Sequence, residues 1–365
     1  MANCIEKIRR FITRGLVFSF VLTGCADNDK KNSTISIIWE KEKAVGISIP
    51  KELLTDIPDD SIHSVLHIRL ANNNTSILGE YTTMTDELIF RPLIPLTRGL
   101  KYEVRIGNKP AGEIAIPSVN PADAPTIVTV YPALDTVPEN LLKFYILFSK
   151  PMQEGEALNH ILLIKNGSDT LSDVFPDLQN ELWNKERTML TLWLDPGRIK
   201  RDLQPNLRLG PPLQRGGHYE LLIRNDWQDE TGANLKNDHS KKFFTGLHDS
   251  ISPTPDDWKI AIPESGSKEA LEISFNESLD PVLAENTMRI ETGGNIVKGD
   301  FHINSKGTVL QFLPAESWKP GKYSLAIEAR LEDLAGNNLN RLFDADLTQK
   351  AHKQQEIFNR SFEIK

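Results

Sequence analysis

Cysteine is nearly absent from this chain of 365 residues, which contains only Cys4 and Cys25. Two cysteines cannot build the disulfide framework that stabilises many small exported domains. Long apolar runs are missing too, because the most apolar stretch, Gly15 to Leu22, has only about eight residues and is too short to cross a bilayer as a helix. The hydrophobic fraction of 39% is still sufficient for real cores. The domains of this chain must therefore be stable by burial alone.

The sequence also lacks the common motifs of catalysis and phosphate binding. It contains no Gly-rich phosphate loop, no His-Glu-x-x-His and no Gly-x-Ser-x-Gly element. The formal net charge is −8, without a basic stripe, which argues against a nucleic-acid partner. We therefore expect a protein that is not an enzyme and that uses neither a cofactor nor a metal.

The N-terminus has the three parts of an export signal. A basic region is followed by the apolar stretch and then by Leu22-Thr23-Gly24-Cys25. This tetrapeptide resembles the lipobox of bacterial lipoproteins, and the resemblance implies that Cys25 carries lipid, palmitate included. It predicts a signal peptide over residues 1–24 and a polar tether over 25–33. An ordinary secretory signal and a true transmembrane anchor are the alternatives.

A lipid-bearing Cys25 would place the chain in the cell envelope. We expect anchoring at the outer membrane, on its periplasmic or its surface face, with the lipid as the membrane contact. The signal carries four cations and one acid, so its removal leaves a net charge of about −11. With Cys4 removed and Cys25 occupied, the mature chain could form no disulfide.

The rest of the sequence is typical of an all-β protein. Short apolar alternations such as Val65–Leu70, Tyr219–Ile223 and Leu271–Phe275 are separated by Gly, Pro, Asn and Asp. The 22 prolines agree, since most stand where strands end. Three stretches could instead form helical turns, namely Pro50 to Leu54, Glu154 to Leu158 and Leu347 to Phe358.

One pattern occurs three times along the chain. Each copy reads apolar-x-aromatic-x-Pro, then a turn containing Gly, then a Tyr that opens an alternating strand. The copies are Leu88–Pro92 with Tyr102, Leu192–Pro196 with Tyr219, and Leu310–Pro314 with Tyr323. A strand of this kind is expected to bury its aromatic residue. A Tyr at the following corner can bury its ring and still bond its hydroxyl to nearby backbone.

Two further elements indicate a resemblance to a known family. Phe148-Ser149-Lys150-Pro151-Met152 follows a strand, and the acidic, Gly-centred turns Asp229–Leu235 and Glu332–Leu339 follow the Tyr strands. Together these elements resemble the bacterial Ig-like domain of the S-layer type. The resemblance implies tandem Ig-like β-sandwich domains over 34–120 (the most divergent), 124–248 and 252–365. Short Pro-containing linkers favour an elongated rod.

The insertion Gly197–Arg201 in the middle copy is the most basic patch of this acidic protein. Its cations Arg198, Lys200 and Arg201 are the candidate ligand-binding residues, because they could meet an acidic partner or a glycan. The alternative is a solvated loop.

Three other groups are candidate sites. The acidic turns Asp229/Glu230/Asn234/Asp238 and Glu332/Asp333/Asn337/Asn338 could supply oxygen ligands to Ca²⁺, but such residues also form turns by themselves. His218, His239 and His248 fit no metal motif. Asp256-Asp257-Trp258 and Glu181-Leu182-Trp183 contain the residue types of a glycosidase site, although packing explains the tryptophans as well.

The sequence thus predicts a lipid-anchored envelope protein whose modules serve as a non-catalytic binder or spacer. Its expected partner is another envelope protein or a polysaccharide. The alternatives are a glycan-active or glycan-binding envelope enzyme, with a site in an irregular stretch such as 154–188, and a purely structural component of an envelope assembly.

Overall fold

A computed structural model of the protein describes residues 34–40, 42–54, 61–73, 75–345 and 354–365. The predicted signal peptide, the lipobox with Cys25 and most of the tether lie outside these residues. The chain forms two compact units. The first comprises Val45–Pro95 and Lys101–Ile114 with the described residues before Glu40, and the second comprises Glu40–Ala44, Leu96–Leu100 and Ala115–Lys365.

The first sandwich contains seven strands in two sheets with the orders β1-β2-β5-β4 and β3-β6-β7. Alternate residues of both sheets, such as Ile49, Phe90 and Val104, are buried between them. The Tyr81 hydroxyl joins the sheets by donating to the carbonyl of Leu66 at 2.9 Å. The strands are β1 (Ser36–Glu40), β2 (Lys43–Pro50), β3 (Leu66–Leu70), β4 (Gly79–Thr83), β5 (Glu87–Pro92), β6 (Lys101–Ile106) and β7 (Lys109–Ala115).

The second sandwich has sheets with the orders β13-β14-β10-β8 and β12-β11-β15-β16-β9, in which the short β9 runs parallel to β16. Its core includes Phe144 and Leu190 from one sheet and Leu163, Leu221 and Phe243 from the other. The strands are β8 (Ile127–Tyr131), β9 (Thr136–Val137), β10 (Lys143–Phe148), β11 (Ile161–Lys165), β12 (Asp169–Leu171), β13 (Leu182–Trp183), β14 (Met189–Trp193), β15 (His218–Ile223) and β16 (His239–Thr245).

The third sandwich pairs its strands antiparallel in the orders β17-β18-β22-β21 and β20-β19-β23-β24. Its core includes Ile273, Phe312, Ile290 and Leu325. The strands are β17 (Lys259–Ala261), β18 (Leu271–Ser274), β19 (Met288–Thr292), β20 (Asn295–Ile296), β21 (Gly299–Ile303), β22 (Val309–Pro314), β23 (Gly321–Glu328) and β24 (Ile357–Ile364).

Helical segments are short and lie between strands. The 3₁₀ turns are Lys51–Leu54, Pro121–Asp123 and Pro255–Asp257, and the α-helical turns are Ile62–Val65, Ala157–His160, Pro196–Ile199, Gln204–Leu209 and Pro281–Asn286. Among the described residues, no helix is long and apolar enough to span a membrane.

The connectivity of the three sandwiches identifies the fold. In the third, β17 and β18 lie in one sheet, β19 and β20 in the other, β21 and β22 return to the first, and β23 and β24 complete the second. The other two sandwiches cross between sheets in the same order, except that in the second the short β9 joins the edge of the other sheet between β8 and β10. This Greek-key order is that of immunoglobulin-like sandwiches, so the predicted all-β, tandem Ig-like fold is confirmed. The domain boundaries given above remain predictions.

The tyrosine corners of the second and third sandwiches form as the repeat predicts. Tyr219 is buried, and its hydroxyl accepts a hydrogen bond from the backbone N–H of Gln214 at 2.8 Å. The Tyr323 hydroxyl donates to the carbonyl of Lys319 at 3.0 Å. Each ring is therefore buried without leaving its hydroxyl unsatisfied.

Most of the stretch Leu347 to Phe358, which could form a helical turn, lies outside the described residues. Its last two residues, Ile357 and Phe358, are not helical and open β24, which pairs along its whole length with β23. The expectation of a buried aromatic in every copy of the repeat was wrong. In the middle copy of the repeat, the buried residue is Leu194 and not an aromatic. Trp193 stands one position earlier and is only partly buried, because neighbouring strand residues point to opposite faces.

Candidate functional site

A buried ion-pair network links the second and third sandwiches. Lys143 begins β10, and 9% of its side chain is exposed. Its Nζ lies 2.9 Å from Asp280 Oδ2 and donates to Glu332 Oε2 at 2.8 Å. The Tyr145 hydroxyl donates to the same oxygen of Asp280 at 2.7 Å. We call Lys143, Tyr145, Asp280 and Glu332 the joint.

The joint compensates the charges that it buries. The other oxygen of Asp280 accepts from the N–H groups of Val282 and Leu283 and so caps the helix Pro281–Asn286. Burial lowers the pKa of Lys143, but the neighbouring Asp280 and Glu332 outweigh it and hold that pKa above its usual value. Burial, with the Asp280 carboxylate, raises the pKa of Tyr145 far above its ordinary range. At neutral pH the ammonium and the phenol are therefore both protonated.

Hydrogen bonds from the second sandwich also fix the linker and the acidic turn of the third. The Asn140 amide donates to the carbonyl of Asp249 at 2.8 Å and accepts from its N–H at 2.9 Å. The N–H of Leu142 donates to the carbonyl of Leu334 at 3.0 Å. Backbone and side-chain contacts thus act together between the second and third sandwiches.

The three cations of the insertion lie in different environments. The Arg198 guanidinium is buried and donates to four backbone carbonyls, those of Asp173, Gly210, Leu209 and Pro211. The Nε of Arg201 bonds Asp344 of the third sandwich at 2.7 Å. The Nζ of Lys200 lies 4.7 Å from the ring centroid of Phe343. Arg198 thus orders the loop, and the other two meet the third sandwich. Ligand binding by these residues stays a prediction.

Three carboxylates meet beside the joint. Ligand oxygens of Asp249, Glu277 and Asp333 all lie within 4.8 Å of one another. Burial, then the charge of Asp249, raises the pKa of Asp333 to about 8, and the same causes raise that of Glu277 to about 7. Of the acidic turns considered as calcium ligands, only the third-sandwich turn contributes to this cluster, through Asp333 alone. Calcium binding stays a prediction, and a calcium titration with an unchanged melting midpoint would remove it.

The equivalent aspartate of the second sandwich lies in a different environment. Asp229 is 1% exposed, and its Oδ1 accepts from the N–H groups of Thr231 and Ala233. Its Oδ2 is buried and has no hydrogen-bond partner among the described residues.

The histidines considered as metal ligands lie apart. In the β15–β16 pair, His218 faces Phe244, whereas His239 faces Ile223 at the opposite end. His248 lies 3.6 Å from Glu139 in the linker region. The structure therefore does not bring the three rings together.

A cleft of about 570 Å³ opens at one edge of the second sandwich, within the irregular stretch named in the sequence analysis. It lies between residues of β11 and β14, and the connection from β12 to β13 lines it. Glu181, one of the candidate glycosidase carboxylates, accepts hydrogen bonds there from the N–H groups of Gly155 and Ala157 and from Trp183 Nε1. Its carboxylate is thus used to hold the wall of the cleft. The other candidate tryptophan, Trp258, is buried in the third core.

Sequence reasoning missed the joint. The only signal was a lysine that opens the otherwise apolar strand Lys143–Phe148, and an isolated lysine does not identify its partners. Asp280 and Glu332 lie more than 130 residues away along the chain, as the separation of Tyr145 from Asp280 shows.

Comparisons with known proteins add little to this geometry. No family model and no curated protein matches the chain. Among solved structures, it is similar to the N-terminal part of the bacterial S-layer protein SbsC, at 13% identity over 56% of this chain and 41% of that one, with a TM-score of 0.24. An Escherichia coli alpha-2-macroglobulin fragment shares 11% identity over 56% of this chain and 66% of its own, with a TM-score of 0.23. The I9–I11 tandem of titin shares 12% identity over 80% and 94%, with a TM-score of 0.22. The fold assignment therefore rests on the sheet topology.

Proposed function

We propose that this chain is a lipid-anchored protein of the cell envelope whose tandem Ig-like modules serve as a non-catalytic binder and spacer. The observation that carries this proposal is the joint. A buried lysine shared by two carboxylates of the next sandwich fixes one arrangement of the two modules. A fixed arrangement suits a protein that must present a surface at a defined position, since mobile modules would spread it over many positions.

The anchor in this proposal is the lipid on Cys25, at the end of the Leu22-Thr23-Gly24 sequence. It would hold the chain on the outer membrane, on the periplasmic or the surface face. The partner would be another envelope protein or a polysaccharide. A purely structural role within an envelope assembly is the limiting case in which the spacer has no ligand.

Membrane fractionation with labelled palmitate tests the anchor. We expect the wild-type chain to incorporate label and to sediment with membranes. The Cys25→Ser chain should incorporate no label and should not sediment with membranes. Cys4→Ser is the matched control, because it removes the other cysteine and should leave both properties unchanged. Labelling of the Cys25→Ser chain would contradict the proposal.

The cleft is the one observation that favours the glycan-active alternative. Against it, the Glu181 carboxylate already accepts three hydrogen bonds from protein groups. New reducing ends produced from envelope polysaccharide by the purified chain, and lost in Glu181→Gln, would favour the enzyme over the binder.

A further inference from the structure

The charge around the cleft of the second sandwich is of one sign. Four of the described residues that line it are acidic, and none of them is Lys, Arg or His. The Glu181 carboxylate is occupied by three hydrogen bonds from protein groups, and the other three carboxylates, those of Glu156, Asp173 and Asp177, belong to exposed residues. Asp173 uses its backbone carbonyl to accept from Arg198, which leaves its side chain at the rim. An occupant of this cleft would meet an acidic rim, in which His160 lies 3.8 Å from Glu156 and the buried Arg198 lies against the backbone of Asp173.

The walls of the same cleft are apolar. Buried side chains such as Val174 and Leu190 form its floor, whereas Leu178 and Leu182 are 41% and 40% exposed. Covering apolar surface gains roughly 25 cal/mol per Å², so these leucines favour an occupant that brings apolar groups of its own. A neutral glycan could donate hydroxyl hydrogen bonds to the carboxylates, but it would not balance their charge and would leave the leucines uncovered.

From these two properties we propose that the cleft binds a peptide segment of a partner protein in which Leu, Ile or Val side chains are flanked by Lys or Arg. The apolar side chains would enter between Leu178 and Leu182, and the cations would pair with Asp173 and Asp177. A volume of about 570 Å³ accommodates two or three such side chains, since ligand sites commonly measure about 300–1,000 Å³. The inference rests on the proposed binding function and gives its partner a chemistry.

Fluorescence anisotropy with a labelled Lys-Leu-Lys-Val-Lys-Leu-Lys peptide tests the proposal. The full chain, with whatever N-terminal anchor it carries, is held in nanodiscs of zwitterionic phosphatidylcholine, and empty nanodiscs give the background. We expect saturable binding that weakens as salt is added, because the pairs at the rim are exposed. A peptide with Glu in place of Lys and one with Ser in place of Leu and Val should both fail to bind.

Paired variants separate the cleft from the general acidity of the chain. Asp173→Asn with Asp177→Asn should weaken binding about tenfold, because each exposed ion pair contributes up to about a factor of five. Asn also tolerates the positive φ of 53° at position 173. Glu264→Gln with Glu269→Gln removes the same charge from exposed positions of the third sandwich and should leave binding unchanged. Leu178→Ser should weaken binding, and Leu313→Ser, at a similarly exposed leucine, should not.

Hydrogen exchange then locates the bound peptide. Protection confined to the segment from β12 to β13 supports the proposal. Equal weakening by the two charge variants, protection elsewhere, or no saturable binding would each overturn it. These results are independent of palmitate labelling at Cys25, so a failed peptide assay does not count against the anchor.

Discussion

The acidic turns of the second and third sandwiches share one backbone design and differ in what surrounds it. In both, a buried aspartate accepts from the N–H groups two and four residues later, as Asp229 does from Thr231 and Ala233 and as Asp333 does from Ala335 and Asn337. The difference lies in the second carboxylate oxygen. Asp333 Oδ2 accepts from the Asn337 side chain at 2.8 Å, whereas Asp229 Oδ2 has no partner among the described residues.

A single substitution between the copies explains this difference. Asn337 occupies the position four residues after the aspartate, and Ala233 occupies it in the second sandwich. Asn337 also accepts from the N–H of Phe343 at 2.9 Å, so it orders the segment that carries Asp344 toward Arg201. Glu332, which precedes Asp333, belongs to the joint. Its counterpart in the second sandwich is Gln228, which carries no charge. Through Glu332, the third-sandwich turn is thus part of the contact between the second and third sandwiches.

Breaking the joint should have the largest effect. Lys143→Met leaves Asp280 buried beside Tyr145 without its cation, and removal of one partner of a buried ion pair costs about 3–5 kcal/mol. Urea unfolding should show this loss in the free energy of unfolding. Lys185→Met, at an exposed lysine outside the joint, is the matched control and should change little. A loss of less than about 1 kcal/mol in Lys143→Met, the value typical of surface pairs, would show that the joint is not a buried network.

Removing the amide that distinguishes the third turn should cost less. Asn337→Ala leaves Asp333 Oδ2 as unpartnered as Asp229 Oδ2 and also frees the N–H of Phe343. We expect a loss of about 1–3 kcal/mol, the cost of buried polar groups without partners. Hydrogen exchange at Phe343 and Asp344 should rise in the same variant. Unchanged exchange there would show that another contact orders this segment.

The reverse substitution sharpens the comparison. Ala233→Asn offers Asp229 Oδ2 the donor that Asp333 already has, and we expect a gain of up to about 1 kcal/mol, the net value of one hydrogen bond. A thermal melt measures it. A lowered melting midpoint would mean that the second sandwich lacks space for the amide, since Ala233 is only 6% exposed.

The pH dependence of stability tests the carboxylate cluster to which the third-sandwich turn contributes Asp333. The pKa values of Asp333 and Glu277 are raised on folding to about 8 and about 7, so the folded state binds these protons more tightly than the unfolded state. Their contribution is complete below the unfolded pKa values of about 4 and is lost as pH rises toward about 8. Glu277→Gln removes one of the three carboxylates and should flatten this decline in the melting midpoint.

Glu264→Gln, an exposed position of the same sandwich, is the control for this measurement and should keep the wild-type slope. If Glu277→Gln also kept that slope, the cluster of Asp249, Glu277 and Asp333 would not titrate in this range.

The sequence predicts the fold well because its signals are local. Alternating strands, prolines at strand ends and the corners at Tyr219 and Tyr323 depend on residues close along the chain. The last strand, β24, was missed because a stretch of about ten polar residues precedes it and its partner β23 is distant in sequence. The joint was missed for the same reason. Likewise, the patch at Arg198 looked uniform in sequence, and only the folded loop separates the buried guanidinium of Arg198 from the half-buried Lys200 and the exposed Arg201.

A distance measurement between the second and third sandwiches tests most directly whether the two keep one fixed arrangement. Spin labels on Lys185→Cys and Lys306→Cys, two exposed positions, are placed in a chain whose Cys4 and Cys25 are replaced by serine. Double electron–electron resonance should give a single narrow distance distribution, and Lys143→Met should broaden it. A broad distribution in the chain with an intact joint would contradict the account.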